Sequence, residues 1–287
     1  MSEPRAEDAY RADIVEVGRR MYARGYVASN DGNISIRLDD ATILTTPKSV
    51  SKGFMTPDMM VVVDLDGKKI RGTRDASSEL LMHLEVYKNR PDVRSVVHAH
   101  PPIATGFAVA GIPLDRAVLA EVVTTLGSIP IAEYGTPSTP ELPAAVRKYI
   151  KAHDGLLLAN HGALTIGPDV FAAYYKMETI EHFAKISLVT RQLGRENLLS
   201  REEVHRLQEL RGNYGIKAPA PICADGSESA SNADQASCQI VEAPSSRGAR
   251  LIPTDPADLD GEIRLSYREL TALIEDAVKA LLGGQHG

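Results

Sequence analysis

The chain has 287 residues, of which 24 % are charged and 43 % hydrophobic, a globular composition that predicts one or two domains. The formal net charge of −6 argues against nucleic acid or an anionic membrane as a partner, because both bind basic surfaces. No apolar run approaches the roughly 18 residues of a membrane span and the polar start is unlike a signal peptide, so we expect a cytoplasmic protein.

Helical and strand patterns alternate at close spacing up to residue 216. Apolar periodicity predicts a first helix over 7–25, and a second that begins at Ser77 or Ser78 and ends near Asn89. Further helices are predicted at about 115–126, 140–153, 169–193 and 201–212, and strands at 34–36, 42–45, 60–63, 95–98, 129–131 and 155–159. The order is not a regular βαβ repeat, so the pattern predicts an α/β domain whose sheet is covered by helices.

The composition changes after residue 216. Residues 217–262 are rich in Ala, Pro, Ser, Asp and Gly, and we predict a flexible linker because such a segment buries little apolar surface. Within 263–287, apolar residues recur at helical spacing from Leu270 to Leu282, which predicts an amphipathic helix. An isolated helix of about 17 residues is marginal in water, so this one requires a partner surface in this chain or in another.

The segment His98-Ala99-His100 is the first candidate for chemistry. Residues i and i+2 of a strand point the same way, so both imidazoles can reach one ion. His161, in Asn160-His161-Gly162, follows another apolar strand and is a third candidate ligand. Three imidazoles with one open position are typical of a catalytic zinc or similar divalent ion. Packed histidines satisfied by hydrogen bonds are the alternative.

Ser77-Ser78-Glu79 supplies candidate polar groups at a predicted helix start. Free amide N–H groups and two hydroxyls at a helix N-terminus can bind an anion, and Glu79 can ligate a metal or move a proton. An ordinary helix cap is the alternative interpretation. His83, one turn later, is a rival ligand, but its apolar neighbours favour a packed helix residue.

The polar turn from Ser29 to Ser35 runs into a strand, and such turns can expose backbone amides to a phosphate. The sequence has no GxGxxG and no GxxxxGK[ST] motif, so dinucleotide and P-loop sites lack support. It has no Gly-x-Ser-x-Gly segment, and Cys223 and Cys238 lie in the predicted linker without metal-site spacing. A serine or cysteine nucleophile is therefore not expected, and any metal site must use histidines and carboxylates.

Together and in this order, these segments resemble the class II aldolase/adducin family over about residues 8–216. The matching segments are Gly32-Asn33-Ile34-Ser35, Thr46-Pro47, Ser77-Ser78-Glu79, His98-Ala99-His100-Pro101, Asn160-His161-Gly162 and Asn213-Tyr214-Gly215-Ile216. The resemblance implies a three-layer α/β/α fold around a mainly antiparallel central sheet, a bound zinc ion, and a homotetramer with active sites between subunits.

The resemblance also implies roles for individual residues. His98, His100 and His161 would hold Zn²⁺, with Glu79 beside or on the metal as the acid/base. Tyr214 matches a tail tyrosine that helps to protonate the aldehyde product. The residues expected at the substrate phosphate are Gly32, Asn33, Lys48, Ser49, Ser77 and Ser78. Lys48-Ser49 stands where fuculose-phosphate aldolases of the family have Thr-Gly.

The activity implied by the resemblance is reversible retro-aldol cleavage of a ketose 1-phosphate. L-Fuculose 1-phosphate or a close relative would give dihydroxyacetone phosphate and L-lactaldehyde. A pentulose-phosphate 4-epimerase or a sugar-phosphate dehydratase of the same family is an alternative. A non-enzymatic, adducin-like assembly domain is another, although adducin-type domains lack the metal ligands that this sequence retains.

The tail at 263–287 resembles the encapsulation peptides that direct enzymes into bacterial microcompartments. The partner implied for it is a shell protein, which would place the enzyme in the microcompartment lumen. Docking of the helix on its own tetramer is the alternative.

Overall fold

The computed structural model describes residues 6–213 together with Ile216, Ile222 and Thr271. Tyr214, most of the predicted linker and the predicted helix at 263–287, apart from Thr271, lie outside the described residues. The helices of the described part are α1 (Glu7–Ala23), α2 (Leu80–Asn89), α3 (Pro102–Ala110), α4 (Ala120–Thr125), α5 (Glu141–Arg147), α6 (Val170–Gln192) and α7 (Arg201–Asn213). The strands are β1 (Asn33–Arg37), β2 (Thr42–Thr45), β3 (Val61–Asp64), β4 (Lys69–Arg71), β5 (Ser95–Ala99), β6 (Ile131–Ala132), β7 (Gly155–Leu158) and β8 (Gly162–Gly167).

One sheet contains all of these strands, in the order β4-β3-β2-β1-β5-β8-β7-β6. Every neighbouring pair is antiparallel except β6 and β7, which are parallel. The sequence-based prediction of an α/β domain with a mainly antiparallel sheet is confirmed.

Helices cover both faces of the sheet. On β5, Val97 belongs to the apolar cluster of Phe107 (α3) and Tyr174 (α6), whereas its neighbour Val96 belongs to the cluster of Leu84 (α2) and Val146 (α5). Successive strand side chains point to opposite faces, so each central strand contributes to both apolar layers. Full burial of one such side chain stabilises the fold by about 1.5–3 kcal/mol. The predicted three-layer α/β/α arrangement is confirmed.

Helix α2 begins later than its sequence predicts. It starts at Leu80, with Glu79 at the N-cap position and no side-chain capping bond. The backbone N–H of Ser77 donates to the carbonyl of Thr46 (3.2 Å), and Ala76 forms a β-bridge with Pro47. These bonds hold the preceding segment against the end of β2, and the Ser77 hydroxyl accepts only the N–H of Glu79 (3.4 Å), the residue before the first helical position.

Other predicted boundaries also differ from the observed ones. The helix predicted at 115–126 is limited to α4, because Leu114 and Ile129 exchange backbone hydrogen bonds and keep the chain before α4 extended. The helix predicted at 140–153 ends as α5 at Arg147, and β4, α3 and β8 were not predicted. Strand β8 begins directly after His161, so this histidine lies in the tight turn between β7 and β8, where Asn160 has a φ of 55°.

Strand register brings the candidate residues to one end of the sheet. His98 on β5 pairs with Asn33 on β1 and with Leu164 on β8. The turn that carries His161 lies at the same end of β8, and the chain leaves β5 there through His100. The candidate site is therefore built at the end of central strands.

Two further observations concern the predicted domain limits and the membrane. Ile222, within the predicted linker, is 5 % exposed and clusters with Ala117, Val123 and Val204. The boundaries at 216 and 262 remain predictions. Of the helices in the described part of the chain, none combines the length and the apolar character that a membrane crossing requires.

Candidate metal centre

Three histidine side chains converge beyond the end of β5. The candidate ligand nitrogens of His98, His100 and His161 all lie within 4.8 Å of one another. Nε2 of His98 is 3.1 Å from Nε2 of His100. His98 is fully buried, whereas the side chains of His161 and His100 are 10 % and 25 % exposed. The predicted convergence of three imidazoles from two distant segments is thus present.

Glu79 lies against this cluster from the start of α2. Its Oε1 is 2.9 Å from Nε2 of His161, and its Oε2 is 3.5 Å from Nε2 of His98. Asn33 donates from its side-chain amide to Oε2 of Glu79 (2.8 Å). The Glu79 carboxylate therefore contacts the imidazoles of His98 and His161 and also accepts a hydrogen bond from the side-chain amide of Asn33.

The arrangement of these nitrogens fits a divalent cation. Ligand nitrogens about 2.0–2.1 Å from a tetrahedral zinc lie about 3.3 Å apart, a separation similar to that of the His98 and His100 nitrogens. Nδ1 of His98 lies 2.9 Å from the carbonyl oxygen of Ala163 and must donate to it. Nε2 of His98 then carries a lone pair directed at the cluster. Together with ring nitrogens of His100 and His161 and the carboxylate of Glu79, it forms a donor set suited to zinc or a similar ion.

The protonation states of the site agree with metal binding. Burial lowers the pKa of His98 far below its usual value; burial, and next the neighbouring His161, also lower the pKa of His100. Both imidazoles are therefore neutral, which is the form that ligates metals. Burial by itself would raise the pKa of Glu79, but the hydrogen bond that its Oε1 accepts from Nε2 of His161 brings the pKa below the usual value, so that Glu79 is a carboxylate.

His83 lies outside the three-histidine group. It is fully buried on α2, and its Nδ1 is 2.7 Å from Oγ of Ser35. Burial lowers the pKa of His83 to about 3, an effect that the charge of Glu79 partly opposes. It is the packed helix residue that its apolar neighbours indicated.

A cavity of about 270 Å³ opens beside the histidines. His100, His161 and Glu79 form one part of its wall, and most of the other lining residues are polar. Among the phosphate-binding candidates, the cavity is lined by Gly32, Lys48, Ser49, Ser77 and Ser78. Asn33, the sixth candidate, is only 1 % exposed and is hydrogen-bonded to Glu79. The structure thus brings five of the six candidates to the cavity and places Asn33 behind the carboxylate.

Two further wall residues did not stand out in the sequence. Asp31 has its Oδ2 3.4 Å from Nδ1 of His100, where it can accept the proton that fixes the ring's tautomer. Lys52 lines the cavity although it is only 2 % exposed. Burial lowers the pKa of Lys52 to about 8, against the opposing charges of Asp31 and Glu79. Lys52 belongs to no recognisable sequence motif. Its burial in the cavity wall is what identifies it as a candidate functional residue.

Gly162 is a position where one methyl group should disturb the centre. A Cβ there would lie 2.5 Å from the carbonyl oxygen of Ala99 and 2.6 Å from Cδ2 of His100. We expect Gly162→Ala to lower the free energy of unfolding by about 1–3 kcal/mol, as overpacking does, and to weaken metal binding because the ring of His100 must move. Denaturant unfolding and metal titration measure the two effects.

Gly106→Ala is the matched control for that substitution. Gly106 lies within α3, and a Cβ there meets no atom within 4 Å. The added methyl should stabilise the helix by about 0.5–1 kcal/mol and leave metal binding unchanged. If Gly162→Ala binds metal as tightly as the unsubstituted chain, the close approach at β8 does not position His100.

Residues 12–188 match the family described as the Class II Aldolase and Adducin N-terminal domain. The chain belongs to this family. The match includes the segments that carry Glu79 and the three histidines, and the family resemblance seen in the sequence is confirmed.

Curated members of the class II aldolase family differ in the reaction named for them. An L-fuculose phosphate aldolase of Methanococcus maripaludis is 34 % identical over 63 % of this chain and 97 % of its own length. A 5-deoxy-D-ribulose 1-phosphate aldolase of Bacillus thuringiensis is 32 % identical over 71 % of this chain and 96 % of its own. A 3-oxo-tetronate 4-phosphate decarboxylase of Pectobacterium atrosepticum is 31 % identical over 64 % and 86 %.

Solved structures of the family have the same fold. An L-fuculose 1-phosphate aldolase superposes with a TM-score of 0.67 at 28 % identity, covering 72 % of this chain and 98 % of that one. The L-fuculose-1-phosphate aldolase of Thermus thermophilus gives a TM-score of 0.59 at 31 % identity, over 68 % and 100 %. The prediction of a class II, aldolase-type enzyme is confirmed. The relatives do not agree on a substrate.

Proposed function

We propose that this family member is a zinc-dependent aldolase that reversibly cleaves a ketose 1-phosphate, L-fuculose 1-phosphate or a close relative, to dihydroxyacetone phosphate and L-lactaldehyde. The observation that carries the proposal is the joint placement of two groups of residues. The three imidazoles and Glu79 lie at one part of a cavity wall, and hydroxyl and ammonium groups suited to a phosphate line another. The curated aldolases among the relatives support this class of substrate.

Cleavage requires that the hydroxyl on C4 loses its proton, that the C3–C4 bond breaks, and that C3 of the resulting enediolate gains a proton. A divalent cation held by His98, His100 and His161 would supply Lewis-acid stabilisation of the negative charge on the substrate oxygens, worth several kcal/mol. Glu79 is a carboxylate at the edge of the cavity and is placed to carry the proton to C3. Asn33 fixes its orientation through the bond to Oε2.

The part of the cavity wall formed by Lys48, Ser49, Ser77 and Ser78 would bind the substrate's phosphate group, which takes no part in the reaction. Ser77 and Ser78 present hydroxyls to the cavity, and Lys48 and Ser49 present an ammonium and a further hydroxyl from the loop after β2. Binding energy from this remote group holds C3 and C4 near Glu79 and so contributes to the rate. Tyr214, outside the described residues, is proposed to protonate the aldehyde oxygen in the reverse, carbon–carbon bond-forming direction, where that oxygen becomes the C4 hydroxyl.

A screen of ketose 1-phosphates tests the substrate. The purified, zinc-loaded chain is incubated with each sugar phosphate, and dihydroxyacetone phosphate and aldehyde are measured separately. We expect equimolar release of both products from at least one ketose 1-phosphate. Formation of a 4-epimer without cleavage would indicate an epimerase, and loss of water a dehydratase. A protein that holds no divalent metal and converts no sugar phosphate would favour the adducin-like assembly role.

Decarboxylation is a second candidate because one relative at 31 % identity is named 3-oxo-tetronate 4-phosphate decarboxylase. Loss of CO₂ from a 3-oxo acid leaves the bonding electron pair as an enolate, so the same donor set suits both reactions. The carbon that loses CO₂ must gain a proton, which Glu79 is placed to give. Carbon dioxide release from a 3-oxo-tetronate 4-phosphate, with no aldehyde formed, would replace the aldolase proposal.

The assembly proposed for the enzyme is a homotetramer whose tail at 263–287 binds a microcompartment shell protein. We expect deletion of residues 263–287 to leave kcat and KM within about twofold, because the candidate site lies between residues 30 and 161. The same deletion should abolish co-purification with shell proteins. A truncated enzyme that still enters shells would show that the tail is not the targeting segment, and a truncated enzyme that loses its oligomeric state would favour docking on its own tetramer.

A further inference from the structure

Lys52 is a buried cation in the wall of the cavity. It begins a short 3₁₀ helix, Lys52–Phe54, that packs against α1. The side chain is 2 % exposed, yet it lines the same cavity as Ser77 and Glu79. Its Nζ donates to the carbonyl oxygens of Asn30 (2.9 Å) and Val50 (2.7 Å). The ammonium is therefore held in place by the two loops that flank the cavity.

The charge of Lys52 has no direct counter-charge in the described part of the protein. Its two hydrogen-bond acceptors are neutral carbonyls, and no carboxylate of the described residues forms an ion pair with it. Asp31 and Glu79 act on it only at longer range. An ammonium has three N–H donors, and two of them are accounted for. A buried charge without a paired partner is expensive, which points to an anion that arrives from outside.

The residues that line the cavity with Lys52 indicate which kind of anion would bind there. Ser49, Ser77 and Ser78, which carry hydroxyls, line the same cavity as Lys52. Hydroxyls and an ammonium suit the several acceptor oxygens of a phosphoryl group. Lys48, the lysine that the family resemblance places at the phosphate, is solvent-exposed. It must lose more side-chain freedom to bind than Lys52, which is already fixed.

We propose that Lys52 is the principal cationic ligand of the substrate's phosphoryl group, donating its third N–H to a phosphoryl oxygen. This inference rests on the proposed function in that it takes the substrate to be a sugar phosphate. The two carbonyl bonds aim the ammonium before the substrate arrives, so that little rearrangement is needed on binding. Lys48 then acts as an outer, more weakly fixed charge.

A purely structural role for Lys52 predicts a different pattern of effects. If Lys52 only ties the Asn30 and Val50 loops together, a neutral residue that can donate hydrogen bonds should replace it. If it neutralises a phosphoryl group, the charge itself is needed. Lys52→Gln removes the charge and keeps N–H donors, whereas Lys52→Met removes both. Comparison of the two variants separates the two roles.

The experiment measures binding of inorganic phosphate to the full-length, zinc-loaded chain by calorimetry. We expect Lys52→Met and Lys52→Gln both to weaken phosphate binding by about 10- to 100-fold, as loss of a charge-assisted bond does. Zinc content and the unfolding midpoint report whether each variant is folded. In the aldolase assay, kcat/KM for the sugar phosphate should fall by a similar factor.

Lys151→Met is the control for the loss of one positive charge. Lys151 is exposed and precedes β7 at the end of the strand opposite to His161, so phosphate binding should not change. Unchanged phosphate affinity in the folded Lys52→Gln variant would overturn the inference, as would an unsubstituted chain that binds no phosphate. If phosphate binding depends on Lys52 but no ketose 1-phosphate is cleaved, the proposed reaction fails and the phosphoryl site stands.

Discussion

Replacing His100 by alanine is expected to remove the bound divalent metal and, with it, the lyase activity. His100 supplies one of three nitrogens within 4.8 Å of one another. Loss of a partner that merely orients a ligand lowers metal affinity about 10- to 100-fold, and loss of the ligand itself should exceed this. The Lewis-acid contribution of several kcal/mol corresponds to a rate loss of about 1,000-fold or more. Elemental analysis after dialysis and the cleavage assay measure the two losses.

His205→Ala serves as the control for this variant. His205 is exposed on α7 and pairs with Glu209 one turn later, so its removal should alter neither metal content nor rate. Circular dichroism would show whether His100→Ala keeps its secondary structure. A folded His100→Ala variant with full metal content and full activity would rule out a role for this imidazole as a metal ligand.

Glu79→Gln is expected to lower kcat by about 100- to 10,000-fold, the contribution of a positioned acid/base group. Glutamine keeps the shape of the side chain and can still accept the bond from Asn33. It cannot carry a proton, and it leaves the three imidazoles in place. Steady-state kinetics at saturating zinc measure the loss, and a metal titration shows whether Glu79 also ligates the ion, since loss of a ligand should lower the affinity by more than the 10- to 100-fold expected for a partner that only orients His161.

Glu209→Gln is the matched control for the change of charge, because Glu209 is exposed on α7. Its kcat should equal that of the unsubstituted chain. A Glu79→Gln enzyme within tenfold of full activity would show that another group moves the proton, and Asp31, 3.4 Å from His100, would be the next residue to test.

Local pattern in the sequence was enough to predict most of the elements and the convergence of His98, His100 and His161. The alternation of a strand places His98 and His100 on one side, and the turn after a buried strand presents His161. The same local rules predicted the wrong start for α2, because backbone bonds between Ser77 and Thr46 hold the segment before it. Helix α4 was predicted too long because the pairing of Leu114 with Ile129 joins residues on either side of it. Contacts between distant segments do not leave a local signal.

The residues of the cavity wall likewise could be predicted only in part from local sequence pattern. Ser77 and Ser78 were predicted to face an anion, and they do line the cavity, although not as helix caps. Lys52 was not predicted, because a lysine in a polar loop is usually exposed to solvent. It is buried because its 3₁₀ helix packs against α1. Asn33 was assigned to the phosphate, whereas its register opposite His98 places its amide beside Glu79.

His98 pairs with Asn33 on β1 and with Leu164 on β8. Metal binding therefore depends on whether β5 has folded in the native register. A slip of one residue between β1 and β5 would turn the imidazole of His98 into the opposite apolar layer, and a chain trapped in that arrangement would lack one of the three nitrogens of the candidate metal centre. Added zinc would favour correctly paired molecules by mass action, by about 2.7 kcal/mol at a free concentration one hundred times Kd. Zinc content after refolding would then measure the fraction of molecules in which β1 and β5 are paired in the native register.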